Sequence, residues 1–118
     1  MSQCFMPDEH IRLQRDFDRL FREGKPLHFS EFVARALPNG LERSRLGLSV
    51  GRRVGNAVRR NRIKRLLREA WRLNRDLLGT PCDVVFVPRP SWRELKYAAI
   101  EPTMQRAMRA IATAFAAG

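Results

Sequence analysis

The sequence predicts an α/β fold, an α+β sandwich in which helices pack on a mixed sheet in the order α-β-β-(β)-α-β-α. Three observations carry this prediction. RLGLSV, residues 45–50, alternates apolar and polar side chains as a half-buried strand does. The long segment after Asn56 repeats its apolar residues with a helical period. DVVFV, residues 83–87, is of strand length and unbroken in apolar residues after Asp83, the pattern of a strand covered on both faces. The 118 residues, 44% of them apolar, suit a single domain (1–118) with one modest core rather than a chain disordered throughout.

Each element has a local reason. Residues 1–10 read as a flexible leader. Asp16 is placed to cap a short helix, Phe17 to Glu23, which Gly24 and Pro26 end. Phe17, Leu20 and Phe21 fall at i, i+3 and i+4, one apolar stripe. Leu27 to Leu37 reads as one strand with a break near Ser30, with Phe32, Ala34 and Ala36 on one face. PNGLE, residues 38–42, is a turn. In the strand that follows, Leu46, Leu48 and Val50 point one way and Arg45, Gly47 and Ser49 the other. GRRVG, residues 51–55, is a glycine-flanked loop, and Asn56 is a good N-cap for a helix from Ala57 to Leu78. Gly79, Thr80 and Pro81 stop that helix, and Pro88 and Pro90 end the strand after it. SWRE, residues 91–94, has capping-box spacing from Ser91 to Glu94. Met104, Met108, Ile111 and Phe115 give the last helix a buried side, and residues 113–118 read as its frayed end.

The charge is concentrated. The chain carries +11, from 23 basic and 12 acidic residues, and all but three of the basic ones are Arg. Residues 41–75 hold twelve Arg or Lys against two Glu, so nearly the whole excess sits there. Arg presents a planar fork that pairs with phosphate at two points. A local excess of this kind suits a polyanionic partner.

Helical geometry sorts the segment GNAVRRNRIKRLLREAWR, residues 55–72, into two faces. At about 100° per residue, with Asn61 at zero, Arg65 falls at about 40°, Arg68 at about −20° and Arg72 at about 20°. Ile63, Leu66, Leu67, Ala70, Asn74 and Leu77 lie on the opposite side, with Trp71 at the boundary. The polar stripe therefore repeats Arg once per turn, roughly every 5–6 Å. Glu69 falls at about 80°, off the stripe, so the stripe itself carries no acid. Arg52 and Arg53 precede it, and the free N–H groups of the helix N-terminus also favour phosphate.

At these residues the chain resembles the bacterial ribonuclease P protein component. VGNAVRRNRIKRLLRE, residues 54–69, is similar to that family's Arg-Asn-Arg signature, here Arg60-Asn61-Arg62, with Lys64, Arg65 and Arg68 in place. RLGLSVGRRVGNA (45–57), DFDRLFREG (16–24) and DVVFVPRP (83–90) match the elements around it. The resemblance runs from about residue 12 to residue 112 and implies a fold with an unusual left-handed β-α-β crossover, against the usual right-handed rule. It implies the small subunit of a ribonucleoprotein endonuclease whose RNA subunit cuts the 5′ leader from precursor tRNA with Mg²⁺. It implies that Arg52, Arg53, Asn56, Arg60, Asn61, Arg62, Lys64, Arg65, Arg68 and Arg72 face the catalytic RNA. It further implies that Phe17, Phe21, Arg35 and Arg45 line a cleft for the single-stranded leader. Arg35 stands where some family members carry an aromatic residue.

Other chemistry is not evident in the sequence. His10 and His28 are the only histidines, and neither has metal-ligand spacing with Cys, Asp or Glu. No Ser-His-Asp or Cys-His arrangement and no phosphate-loop consensus is found, which agrees with an RNA-based catalyst. Cys4 and Cys82 do not read as a disulfide framework, so a cytoplasmic, reducing setting is expected. No signal peptide or membrane span is evident. The free protein is expected to be a monomer. A ribosomal-type structural RNA-binding protein, without a role in turnover, is the alternative reading of the same basic helix.

Overall fold

The structure is a computed structural model that describes residues 9–93 and 95–116. Its elements are α1 (Gln14–Glu23), β1 (Lys25–His28), β2 (Phe32–Pro38), β3 (Arg45–Leu48), α2 (Ala57–Asn74), β4 (Cys82–Pro88) and α3 (Tyr97–Ala114). The strands form one mixed sheet in the order β1-β2-β4-β3. β2 pairs antiparallel with β1 and β4, and β3 runs parallel to β4. Because β3 and β4 are parallel, the chain must cross between them, and α2 makes that crossing.

Helices cover the sheet on both faces. Phe32, Val84 and Phe86 pack under Ile63, Leu67 and Trp71 of α2 and under Ile100, Met104, Met108 and Ile111 of α3. The opposite face is smaller: Ile11, Leu20 of α1 and Val85 of β4 are buried there, with Phe17 and Leu37 beside them. β4 therefore has a core on each side, as its unbroken apolar run predicts. Trp71, expected at a boundary, is fully buried and meets the Phe86 ring edge-on at 6.3 Å. Leu66, by contrast, is only half-buried.

Several boundaries differ from expectation for local reasons. The 27–37 segment is a hairpin rather than one strand. Lys25 faces Ala36 and His28 faces Val33, and the Phe29 N–H donates to the Phe32 carbonyl at 2.9 Å. The break near Ser30 is thus a full reversal, while Phe32, Ala34 and Ala36 do share the buried face. α1 starts at Gln14, with Leu13 as its N-cap residue, so Asp16 lies in the first turn instead of capping it. The regular turns of α2 end at Asn74, and Arg75–Leu78 tighten into a 3₁₀ turn that carries Leu78 into the core. The capping-box reading of Ser91 rests on Glu94, which lies outside the described residues; α3 begins at Tyr97 without a side-chain cap.

Of the expected flexible leader, residues 1–8 lie outside the described residues, but residues 9 and 10 belong to the fold. Glu9 is buried and accepts a bond from Arg75. His10 bridges in parallel to Leu46, and the Ile11 N–H donates to the Leu46 carbonyl at 2.9 Å. This segment covers part of the open edge of β3.

Candidate nucleic-acid interface

Asn56 starts the basic helix by accepting a bond from the Arg59 N–H at 2.9 Å, so its side chain serves the helix itself. Before it, Gly55 holds φ 152°, and a Cβ there would lie 2.4 Å from the Arg59 side chain. That close approach sends the Arg59 guanidinium inward. It donates from Nε to the Val54 carbonyl at 2.8 Å and from Nη2 to the Trp92 carbonyl. Arg59 thereby ties the loop ahead of α2 to the loop ahead of α3.

The remaining cations of α2 divide by direction. Asn61, Arg65 and Arg68 are exposed in a row facing away from the sheet. Among the described residues, Arg65 and Arg68 form no ion pair. Arg72 departs from the expected uncompensated stripe. Its Nη2 and Nε reach both carboxylate oxygens of Glu69, at 2.6 and 3.2 Å. A helix wheel treats Glu69 as off the stripe, but an i,i+3 pair lies within reach of the long Arg side chain. Arg60 and Lys64 are half-buried on the helix flank, and the Arg60 Nε is buried without a hydrogen-bond partner. Arg62 is exposed and donates to the Leu95 carbonyl at 3.2 Å. Arg52 and Arg53 are exposed on the 3₁₀ turn 52–54.

The second candidate surface lies on the other side of the sheet. Phe17 is half-buried, and its ring takes the space that a side chain on Gly47 would need: a Cβ there would lie 2.7 Å from the ring. Phe21 is 40% exposed. The Arg35 guanidinium stands 6.0 Å from the Phe21 ring centroid, at the outer reach of a cation–π contact. It also donates to the Phe21 carbonyl at 3.3 Å, at the C-terminal end of α1. Phe21 and Arg35 therefore share a surface, and Phe17 lies one turn earlier on α1 against Gly47. Arg45 is committed elsewhere. It grips Asp83 through two bonds, of 2.9 and 2.6 Å, and lies 3.6 Å from Asp16. The bond to Asp83 raises the pKa of this guanidinium further. Arg45 is thus a fold contact that also lines a groove.

That groove, about 750 Å³, is lined by Arg12, Leu13, Leu41 and Arg43 together with His10 and Arg45, and by the acids Asp16 and Glu42. Sequence reasoning missed Arg12 and Arg43. Only the spacing of Arg43 and Arg45 along one extended segment could have pointed to the second of them. Burial pushes the His10 pKa below its ordinary value, and the Arg12 and Arg68 cations add to that. The neighbouring Glu9 carboxylate works in the opposite direction.

An exposed Arg row on a crossover helix, with a Phe and Arg surface on the opposite layer, defines a basic α/β protein built to meet a polyanion. The chain belongs to the ribonuclease P protein family: the family model described as Ribonuclease P matches residues 5–112. The ribonuclease P protein component of Thermotoga maritima is 43% identical over 94 residues, 80% of each chain. That of Shouchella clausii is 39% identical over 103 residues, 86% of this chain and 84% of that one. The solved ribonuclease P protein of Thermotoga maritima superposes with a TM-score of 0.78 at 34% identity, covering 87% of this chain and 97% of that one. The Staphylococcus aureus protein gives 0.77 at 26% identity, with 86% and 94% covered. Family membership connects the chain with ribonuclease P, with tRNA processing and with an RNA partner.

Proposed function

We propose that this protein is the small subunit that binds the catalytic RNA of ribonuclease P through α2 and holds the 5′ leader of precursor tRNA on its α1 side. The observation that carries the reading is the exposed, unpaired row of Arg65 and Arg68 on a helix between parallel strands. Two adjacent cations one turn apart repel each other, and phosphates remove that cost. On the opposite layer, Phe21 and the edge of Phe17 offer rings on which leader bases stack without sequence preference. Holding the leader there positions the scissile phosphate from a distance.

The cut itself belongs to the RNA subunit in this reading. Among the described residues, no three His, Cys, Asp or Glu side chains gather into a group that would hold a metal ion. The protein's share is electrostatic: by offsetting RNA–RNA repulsion it lowers the Mg²⁺ that the ribonucleoprotein requires. No helix among the described residues is long and apolar enough to cross a membrane. A cytoplasmic location and a monomeric free protein complete the proposal.

The test is cleavage of precursor tRNA at low Mg²⁺ with protein alone, RNA subunit alone, and both. Cleavage only with both is expected. Cleavage by the protein alone would place an active site in the polypeptide. No stimulation by the protein would leave a structural RNA binder of ribosomal type.

A further inference from the structure

The Arg row of α2 has an apolar neighbour that phosphate binding does not use. Between the N-terminal half of α2 and the segment leading into α3 lies a hollow of about 690 Å³. Its walls are Val58, Leu66, Leu95 and the ring of Tyr97. Asn61, Arg62, Arg65 and Lys96 supply its polar lining. Val58 is 78% exposed, although it sits one turn from the densest cluster of charge in the chain. Leu66, Leu95 and Tyr97 are half-buried, so each keeps an open face as well as a core contact.

The hollow has a fixed shape. Arg62 donates to the Leu95 carbonyl at 3.2 Å, which clamps the segment against α2. Arg59 reaches the Trp92 carbonyl from the same helix. The Tyr97 hydroxyl donates to Glu101 at 2.9 Å, which turns the polar end of the ring into the protein. What remains for a ligand is a mostly apolar floor with cations at the mouth. A duplex backbone contacts only the cations. A ligand matching both parts has a flat π-system next to a phosphate, which is an unpaired nucleotide.

We infer that this hollow receives one extruded base of the RNA bound along α2, its flanking phosphates paired with Arg65 and Lys96. The inference rests on the proposed RNA-binding role of α2 and adds to it. A row of Arg alone accepts any phosphate backbone, whereas a base slot at one end fixes where along the RNA the helix sits. Stacking contacts of this kind change affinity by about tenfold or more per base.

Three RNA hairpins test it with the full chain: one fully paired, one carrying a single bulged adenine, and one with an abasic nucleotide at the bulge. The bulged hairpin is expected to bind about tenfold tighter than the other two. Val58→Phe fills the slot without changing charge, and Tyr97→Ala removes a wall. Both are expected to abolish the preference while affinity for the paired hairpin stays within about twofold. Because Val58 is exposed, its variant keeps the test meaningful even if Tyr97→Ala loosens α3. Equal, salt-dependent binding of all three hairpins by the unaltered chain would overturn the slot and leave the Arg row standing. A preference unchanged by Val58→Phe would also overturn it. Failure to bind any hairpin would overturn both the slot and the proposed role of α2.

Discussion

Gly47 joins the fold to the proposed leader surface at the scale of a single residue. A methyl group there would lie 2.7 Å from the Phe17 ring, too close for the ring to keep its place. Gly47→Ala is therefore expected to push Phe17 outward, loosen α1 and cost about 1 kcal/mol in urea unfolding. On the proposed reading it also weakens binding of long-leader substrates and spares mature tRNA; equal losses on both would argue against a leader role for Phe17. Arginine makes the complementary point, because one residue type has several jobs. Arg45→Ala would leave the Asp83 carboxylate, 7% exposed, with only Asn39 beside it among the described residues. The expected cost is about 3 kcal/mol of stability. Arg65→Ala removes a like-charge neighbour of Arg68 and should leave stability within about 0.5 kcal/mol while weakening RNA binding. Urea titration and RNA titration on both variants separate the two roles. Should Arg65→Ala unfold the chain as readily as Arg45→Ala, the division would fail. Sequence located the charge correctly but could not apportion it. Whether an Arg is free depends on carbonyls and carboxylates brought near by the fold, as with Val54 and Trp92 around Arg59.

Periodicity explains which parts of each element were legible. The two faces of α2 and the alternation of β2 follow from the helix and strand repeats, so Ile63, Leu67, Phe32 and Ala34 were placed correctly. The β1–β2 reversal was missed because Phe29-Ser30-Glu31 lacks the Gly, Asn or Pro that usually marks a tight turn. Burial of Trp71 was missed because a helix wheel gives direction only, whereas Phe86 beneath it decides how wide the covered face is. Arg72 was misjudged in the same way, since side-chain length brings Glu69 within its reach. Asn56 was legible as a cap, and its role is separable from recognition. Asn56→Ala is expected to cost about 1 kcal/mol of stability through the lost bond to the Arg59 N–H. If the side chain acts only as a cap, RNA affinity of the folded variant should stay within about twofold. A loss of about tenfold or more in a variant that remains folded would show that Asn56 contacts RNA directly.

Over the whole molecule, the sheet separates two surfaces of different chemistry, with α2 and α3 on one face and α1 on the other. The same layering buries the Cys82 thiol and half-buries the Tyr97 phenol, and their titration reports on the integrity of the α2–α3 side. Burial pushes the Cys82 thiol up to about 11, with the neighbouring Asp83 charge adding to it. Burial, followed by the bond to Glu101, raises the Tyr97 phenol to about 12. The unfolded values are 9.0 and 10.0. A raised acid pKa means that the unfolded chain gives up its proton first. Unfolding then releases protons, and stability falls as pH rises through this window. Stability is therefore expected to hold up to about pH 9 and then decline progressively to about pH 12. Cys82→Ala should delay the onset until about pH 10, where only the phenol contributes. Tyr97 is the chain's only tyrosine, so phenolate absorbance follows it directly. A folded-state midpoint near 10 would mean that the ring is open to solvent. The ring would then not form a wall of the hollow beside the Arg row.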